Sequence, residues 1–299
     1  YARELLELHT LGVKGGYTQQ DIVEVARILT GWTIARPSKK MKAEHTFSFV
    51  FRRGRHDMGT KVVIGKRYRG RKDAGEGIEL LRNLASHPST ANRIATKLCQ
   101  RFVSDTPSPS CTERARVAFT KSSGDIKSVL RAIVLHSEFD KAVKQQAKLK
   151  SPYEFYIGAL RAVSADLTGV PSALMWTSRL GLALFHNAVP TGYPEVASAW
   201  KNPAGMFSRM KFSQQLTANK LKGYSVDVEE IGQPNNLSAS SAVGDVLTAI
   251  LGSDIPELHQ SIELALAKSR KRNQSAKHKG STLNLVLSLV LSSPNFQYQ

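Results

Sequence analysis

The chain has 299 residues, enough for one large domain or two ordinary ones, and its 41% of hydrophobic residues are ample for a packed core. Its 42 Lys and Arg against 24 Asp and Glu give a formal net charge of +18, which favours attraction to nucleic acid, acidic lipid or polysaccharide, or an acidic protein. No run of about 20 apolar residues occurs, which excludes a membrane-spanning helix. The chain begins inside a predicted helix, without a signal peptide or an initiating Met, so we expect a natural N-terminal segment to be missing.

The first predicted element is a helix over YARELLELHTLG, in which two carboxylates and an imidazole lie within six residues. At 100° per residue, Glu4 falls in the middle of the apolar stripe, whereas Glu7 and His9 point elsewhere. One straight helix therefore cannot bring the three side chains to a common ion. Three alternatives stay open for Glu4: a buried salt bridge or cap, a functional acid or ligand, and a position on a solvent-facing helix.

The next helix is predicted to begin after Thr18, because Asp21 follows three residues later in a weak version of a capping box. Beyond this helix, residues 45–66 are predicted to form a small β-hairpin inserted into a helical protein. Phe47, Phe49 and Phe51 alternate with polar or smaller residues, the pattern of a half-buried strand, and KVVIG is typical of a second short strand. We expect the three Phe side chains to form a core face rather than a platform for stacked bases.

The hairpin region also carries most of the charge, since residues 36–72 contain 13 Lys or Arg and only two acidic residues. A second basic run, residues 268–279, is predicted to be an exposed linker. The first region predicts a surface that binds anions or an acidic partner. Its candidate residues are Arg52, Arg53, Arg55, Lys61, Lys66, Arg67, Arg69 and Arg71.

The sequence RHDMGTK, between the two predicted strands, is a candidate catalytic or metal site. His56 and Asp57 are adjacent in it, and imidazole and carboxylate are common metal ligands that also transfer protons. Asp57 before Gly59 is equally a good turn former. A structural turn, an anion contact and a catalytic or metal role therefore all stay open.

The two cysteines, Cys99 and Cys111, are expected to be unrelated thiols, with Cys99 buried on a helix. The alternative is a disulfide that closes this short loop, which would indicate an oxidising compartment. Two cysteines without a CxxC spacing do not predict a structural zinc site.

Helical patterns continue from residue 73 to the end and predict a mainly α protein, a body of many helices. We expect an N-terminal half with the basic hairpin, residues 1–140, and a C-terminal half, residues 141–299, as one continuous structural unit. In the second half, the loop PTGYPEVASAW is rich in Pro, Gly and aromatic residues. It is interpreted either as a rigid plug of the core or as a pocket lined by His186, Tyr193 and Trp200.

Many stretches occur in an order that resembles one bacterial protein family. They include YARELLELHTLGV, GGYTQQDI, LTGW, HD-GTK, GDI-SVLRAI, K-KSP-E--IGALRA, PTGYPE-ASAW and the closing LVLSSPNFQ. The order is similar to that of the family catalogued as domain of unknown function 1800. The resemblance runs over essentially the whole chain and covers the C-terminal two-thirds of the usual family length.

The resemblance implies an exported bacterial protein of no established activity, located in the periplasm, secreted or at the cell surface. It also implies a protein partner, since members are often encoded beside a sulfatase-like family, domain of unknown function 1501. The chain has no nucleotide-binding GxGxxG or Walker A sequence, no HExxH and no GxSxG, and the cofactor and metal dependence stay unknown.

Three functions therefore stay open, and whether the protein is an enzyme is undecided. The leading hypothesis is an accessory binding component of a cell-envelope or surface assembly, which contacts an acidic partner, protein or polymer, through the basic hairpin. The alternative is an exported hydrolase-like enzyme that uses Glu4 with His56 and Asp57. A nonspecific nucleic-acid-binding subunit is the third, and it depends on charge alone.

Overall fold

The computed structural model describes residues 1–35, 47–167, 171–231, 239–272 and 279–299. The protein is mainly α-helical with small two-stranded antiparallel sheets, which confirms the predicted fold class. Four cations of the basic region, Arg36, Lys39, Lys40 and Lys42, lie outside the described residues. So do the first two residues of the predicted hairpin and residues 273–278 of the second basic run.

The described chain divides into two compact units. Unit 1 contains Tyr1–Phe102 and Thr106–Asp140, and unit 2 contains Val103–Asp105 and Lys141–Gln299. The elements from the start of the chain to the end of α7 are α1 (Ala2–Glu4) and the π-helix that continues it (Leu5–His9), α2 (Gln19–Ile28), β1 (Trp32–Ile34), β2 (Phe49–Phe51), a 3-10 turn (Arg53–Arg55), β3 (Lys61–Val63), β4 (Lys66–Tyr68), α3 (Gly75–Ala85), α4 (Pro88–Phe102), α5 (Pro109–Lys121), α6 (Ile126–Val134) and α7 (Ser137–Lys144).

The elements that follow belong to unit 2, whose core packs around Phe155, Phe212 and Leu287. The aromatic rings there meet edge to face, as for Phe155 and Phe212 at 6.2 Å between centroids. The elements are α8 (Pro152–Ala162), β5 (Asp166–Leu167), α9 (Pro171–Arg179), a 3-10 turn (Ala197–Ala199), α10 (Pro203–Thr217), β6 (Tyr224–Ser225), α11 (Val228–Ile231), α12 (Ala239–Leu251), α13 (Pro256–Arg272), α14 (Lys279–Ser292) and α15 (Pro294–Gln297).

The opening helix differs from the predicted one, because its second part is a π-helix. The wider turn changes the angle between successive side chains, so a wheel drawn at 100° per residue does not apply. The buried face is formed by Ala2, Leu5 and Leu6, and the side chain of Glu4 is 45% exposed. The prediction that Glu4 lies on the apolar stripe is wrong.

The capping box at the start of α2 is confirmed, with the backbone N–H of Asp21 donating to Thr18 Oγ1 and that of Thr18 to Asp21 Oδ2. The other carboxylate oxygen of Asp21 accepts the backbone N–H of Ile64 at 2.7 Å. Asp21 therefore joins α2 to the β3–β4 turn, and Val25, Ile28 and Val63 are buried in one core cluster.

The strands near the predicted hairpin pair differently from the prediction. Strand β2 pairs with β1, with Ile34 opposite Phe49, and strand β3 pairs with β4. A two-residue turn, Ile64 and Gly65, joins β3 to β4, and both residues have positive φ, as the type I′ turn requires. An Ile at positive φ is rare, so the sequence pattern did not indicate this turn.

The three Phe residues do not form the predicted core face. Phe47 and Phe49 are 65% and 56% exposed, and Phe51 is half-buried with its ring against His56.

Cys99 of α4 and Cys111 of α5 form a disulfide, and both are buried. The expectation of two unrelated thiols is therefore wrong, and the alternative of a bridge is confirmed. The two helices pack side by side, and the Cα atoms are 6.2 Å apart, within the range that a disulfide spans.

Candidate functional site

Three elements of unit 1 bring titratable side chains together beneath the RHDMGTK segment. Helix α2 contributes Arg27 and, at its end, Thr30; the segment itself contributes His56, Asp57 and Lys61; and the first turn of α3 contributes Glu76. We call Arg27, His56, Asp57, Lys61 and Glu76 the His56 cluster.

His56 is held at both ring nitrogens. Nδ1 lies 2.8 Å from the carbonyl oxygen of Thr30, and Nε2 lies 2.8 Å from Glu76 Oε2. The side chains of His56 and Glu76 are each 1% exposed. The imidazole is therefore enclosed on both sides and closed to solvent.

The partners of His56 differ at its two ring nitrogens. The Thr30 carbonyl only accepts, so Nδ1 donates to it. Nε2 faces Glu76 Oε2, and Lys61 Nζ donates to the same carboxylate oxygen at 3.0 Å. Glu76 Oε2 is therefore shared between His56 and Lys61.

Asp57 is held by α2. Arg27 donates from Nε to Asp57 Oδ2 at 2.8 Å and from Nη2 to Oδ1 at 3.2 Å, a two-point guanidinium–carboxylate pair. The backbone N–H of Gly59 donates to Oδ1 at 2.8 Å. The hydrogen bonds from Arg27 have the largest effect on the pKa of Asp57, followed by the bond from Gly59. They lower this pKa to about 2.

Lys61 is fully buried and donates to the backbone carbonyl of Asp57 and to Glu76. It was predicted to bind a partner at the surface, but its side chain has no exposed area. Arg27 also pairs with Glu24 at 2.8 Å. Arg27 and Lys61 thus supply two cations beside the carboxylates of Glu24, Asp57 and Glu76, which limits the cost of burying these charges.

The sequence did not single out Glu24, Arg27 or Glu76. Glu24 and Arg27 are three residues apart on α2, a spacing that places them on one helix face and could have indicated an ion pair. Nothing local indicates that Glu76 lies against His56, because this contact joins residues 20 positions apart.

Glu4 lies in a different environment from His56 and Asp57. Its side chain is 45% exposed, on an element that contributes no residue to the His56 cluster. Within the described parts of the chain, no hydrogen bond or ion pair joins Glu4 to either residue of the turn.

Six predicted arginines of the hairpin region are exposed and form what we call the basic surface: Arg52, Arg53, Arg55, Arg67, Arg69 and Arg71. Arg71 pairs with Asp73 at 3.3 Å. Among the residues that the structure describes, no carboxylate forms an ion pair with Arg52, Arg53 or Arg55. Lys66, the remaining predicted cation, is exposed and pairs with Glu79 at 3.1 Å.

The basic surface has two arms, Arg52–Arg55 and Arg67–Arg71, and a close contact between Gly70 and Met58 brings their chain segments together. A Cβ on Gly70 would lie 2.3 Å from the carbonyl oxygen of Met58, so only glycine allows this approach of the two backbones. Arg67, Arg69 and Arg71, together with Tyr68 and Glu79, line a cavity of about 460 Å³ beside it.

Of the three residues predicted to line a pocket in the C-terminal half, Tyr193 and Trp200 lie beside each other and His186 lines a separate cavity. Tyr193 donates to the carbonyl of Ala183 at 2.6 Å, and Trp200 donates to that of Pro194 at 3.0 Å, with the two rings 6.0 Å apart. Both side chains thus brace the loop. His186 lines another cavity, of about 350 Å³, with Leu174 and Phe185 among its neighbours.

Across residues 1–35, 47–167, 171–231, 239–272 and 279–299, no three His, Cys, Asp or Glu side chains are grouped so that they could hold a metal ion. None of the described helices is both long enough and apolar enough to cross a membrane.

Comparison with known proteins gives one match. The model of a family described as protein of unknown function (DUF1800) matches residues 1–298. Neither the curated proteins nor the solved structures contain a match to this chain.

Proposed function

Because the chain belongs to the DUF1800 family, which has no known function, we propose a role from the geometry of unit 1: an exported bacterial binding protein of a cell-envelope or surface assembly. In this proposal the basic surface contacts an acidic partner, and the His56 cluster is its internal support. The partner is either an acidic polymer or a protein, for which a member of the sulfatase-like family, domain of unknown function 1501, is one candidate.

The observation that carries the proposal is a contrast in exposure within one short segment. Arg52, Arg53 and Arg55 are exposed, whereas His56, directly after them, has 1% of its side chain accessible. Exposed arginines are suited to bidentate contacts with carboxylate, phosphate or sulfate groups of a partner. A buried and fully hydrogen-bonded imidazole is suited to holding the backbone in place.

The His56 cluster supplies support that the strands alone do not. Strands β1 to β4 have three residues each, and an isolated two-stranded hairpin is marginal in water. Arg27 and Glu76 fix the segment from two different helices. This favours a preorganised surface, which binds with a smaller cost in conformational entropy.

The disulfide supports export. Disulfides persist in oxidising compartments and are rare in the cytosol. The Cys99–Cys111 bridge is buried between α4 and α5, so it has the position of a structural bridge.

The hydrolase alternative receives less support from this geometry. A general base must reach its substrate within hydrogen-bond distance, and both ring nitrogens of His56 already have partners. Within the described residues, no hydrogen bond or ion pair joins Glu4 to His56 or Asp57. The nucleic-acid alternative shares the basic surface, but it predicts binding of an oligonucleotide without binding of an acidic peptide.

The proposal is tested with two acidic probes, a labelled polyglutamate peptide and a labelled single-stranded oligonucleotide, titrated at several salt concentrations. The triple variant R52E/R53E/R55E is compared with K121E/K127E/R131E, which reverses three exposed cations on or beside α5 and α6 of the same unit. We expect the first variant to lower the slope of log Kd against log salt by about 2 for the oligonucleotide, at ~0.7 for each phosphate that an arginine no longer neutralises. Equal effects of both variants, or no binding of either probe, would contradict the proposal.

A further inference from the structure

Strand β1 and residues 47–71, which carry the basic surface and which we call the basic module, expose apolar side chains as well as arginines. Ile34 and Phe49 are directly opposite each other in the β1–β2 pair and are 53% and 56% exposed. Phe47, which precedes β2 and has a φ of 65°, is 65% exposed. A Phe that is exposed and also held in a left-handed backbone conformation bears two costs, which points to a role outside the folding of the chain.

A second apolar group lies within the basic surface. Val62 is opposite Arg67 in the β3–β4 pair, and both are exposed. Met58 is 47% exposed, and its backbone contacts Gly70. Apolar and cationic side chains are therefore mixed at these turns and strand ends.

We infer that this module is a docking surface for a membrane with anionic phospholipid headgroups, which the arginines contact while Phe47, Phe49 and Ile34 enter the interface. The inference rests on the proposed function, in which the basic surface contacts an acidic partner, and takes that partner to be a membrane instead of a polymer or a protein. Binding at a membrane interface uses cations and apolar side chains that lie close together. The electrostatic attraction to anionic lipids and the burial of apolar area both contribute to the binding free energy.

The geometry favours a bilayer over a nucleic-acid strand. Nonspecific single-strand binding uses a charged groove with free aromatic faces. Here the exposed apolar residues lie on three-residue strands and short turns, and the ring of Phe49 already meets Trp32 edge to face at 5.0 Å. Ile34 is aliphatic and cannot stack on a base. The cavity of about 460 Å³ beside Arg67, Arg69 and Arg71 is large enough to hold a phosphate headgroup.

Charge complementarity sets the expected size of the effect. Each cation near an anionic membrane surface contributes roughly 1 kcal/mol. Neutralising Arg52, Arg53 and Arg55 is therefore expected to weaken vesicle binding about 100-fold, at a factor of ten for each ~1.4 kcal/mol.

The test is co-sedimentation of the full chain with vesicles of phosphatidylglycerol and phosphatidylcholine, and with vesicles of phosphatidylcholine alone. The key variant is F47N/F49T, in which Asn tolerates the positive φ of residue 47 and Thr suits a strand. Its matched control is V134T/L135N, which changes two apolar residues at the end of α6 that are 48% and 69% exposed. Circular dichroism spectra confirm that each variant is folded.

We expect binding to the anionic vesicles only. The affinity should decrease about 100-fold in F47N/F49T, from ~1.5 kcal/mol for each of the two inserted Phe, and should not decrease in V134T/L135N. Binding of the oligonucleotide should be unchanged in F47N/F49T. Binding to soluble polyanions without binding to vesicles overturns the lipid inference and leaves the proposed function standing. Vesicle binding that is indifferent to F47N/F49T overturns it too, whereas a failure to bind every anionic probe removes the proposed function itself.

Discussion

At the scale of single residues, the fold clearly lowers the pKa of Asp57. Its pKa is lowered from the ordinary 3.8 to about 2 by Arg27 and Gly59. Because the folded state binds the proton less readily than the unfolded state, the stabilisation by Asp57 is complete above about pH 4 and is lost as the pH falls towards 2.

The variant D57N is therefore expected to melt at a lower temperature than the native protein near neutral pH. The gap between the two should narrow between about pH 4 and pH 2, as the native carboxyl takes up a proton. Thermal unfolding at a series of pH values measures this difference. A gap of constant size across that range would show that the Arg27 pair does not act through the charge of Asp57.

Lys61 and Lys66 form a natural comparison, since each lies on the β3–β4 hairpin and pairs with a glutamate of α3. Lys61 is buried with Glu76, whereas Lys66 and Glu79 are about half exposed. We expect K61M to lower the free energy of unfolding by about 3–5 kcal/mol, because Glu76 keeps its buried charge without its main cation. K66M should cost about 0–1 kcal/mol. Urea unfolding compares the two, and equal effects would contradict the assigned burial.

At the scale of elements, the disulfide links α4 and α5 across 12 residues of sequence. Closing a loop of this length in the unfolded chain stabilises a protein by about 3 kcal/mol. The free energy of unfolding of C99A/C111A should be lower by about this amount, as measured by urea unfolding without reductant. Reductant should then destabilise the native protein to a similar extent and leave the variant unchanged; any other pattern would mean that the bridge contributes little.

The contact between Met58 and Gly70 is the second feature at this scale. The change G70A forces a Cβ against the carbonyl of Met58, and we expect a destabilisation of about 1–3 kcal/mol together with weaker binding of anionic probes. G54A is the matched control, since a Cβ on Gly54 meets no atom within 4 Å, and its effect should stay within about 0.5 kcal/mol. If both variants behave alike, the two arms of the basic surface are not held together by this contact.

At the scale of the whole molecule, local patterns predicted most of the architecture. Helical periodicity predicted the mainly α fold, and Thr18 with Asp21 predicted the cap of α2, because both signals are contained in a few neighbouring residues. The pairing of β2 with β1 was missed, since strand partners are set by contacts between distant parts of the chain. Leu5–His9 was misread because a π-helix has no pattern that a regular wheel detects.

The sequence also predicted some residues of the candidate site and missed others. His56, Asp57 and the exposed arginines were found from their residue types, which concentrate in one segment. The burial of Lys61 and its pairing with Glu76 were not found, because a lysine in a basic run is normally at the surface. Composition indicates which charges are present, and only packing determines which of them are neutralised inside.

The placement of Trp32 has a consequence for spectroscopy. Its indole lies against Gly77, next to Glu76, so close that a Cβ at residue 77 would come within 2.4 Å of the ring. The other two of the three tryptophans, Trp176 and Trp200, belong to unit 2. In the variant W176F/W200F, fluorescence would therefore come from unit 1 alone. A red shift of its emission would report the exposure of Trp32, beside the His56 cluster, in a chain that carries no label.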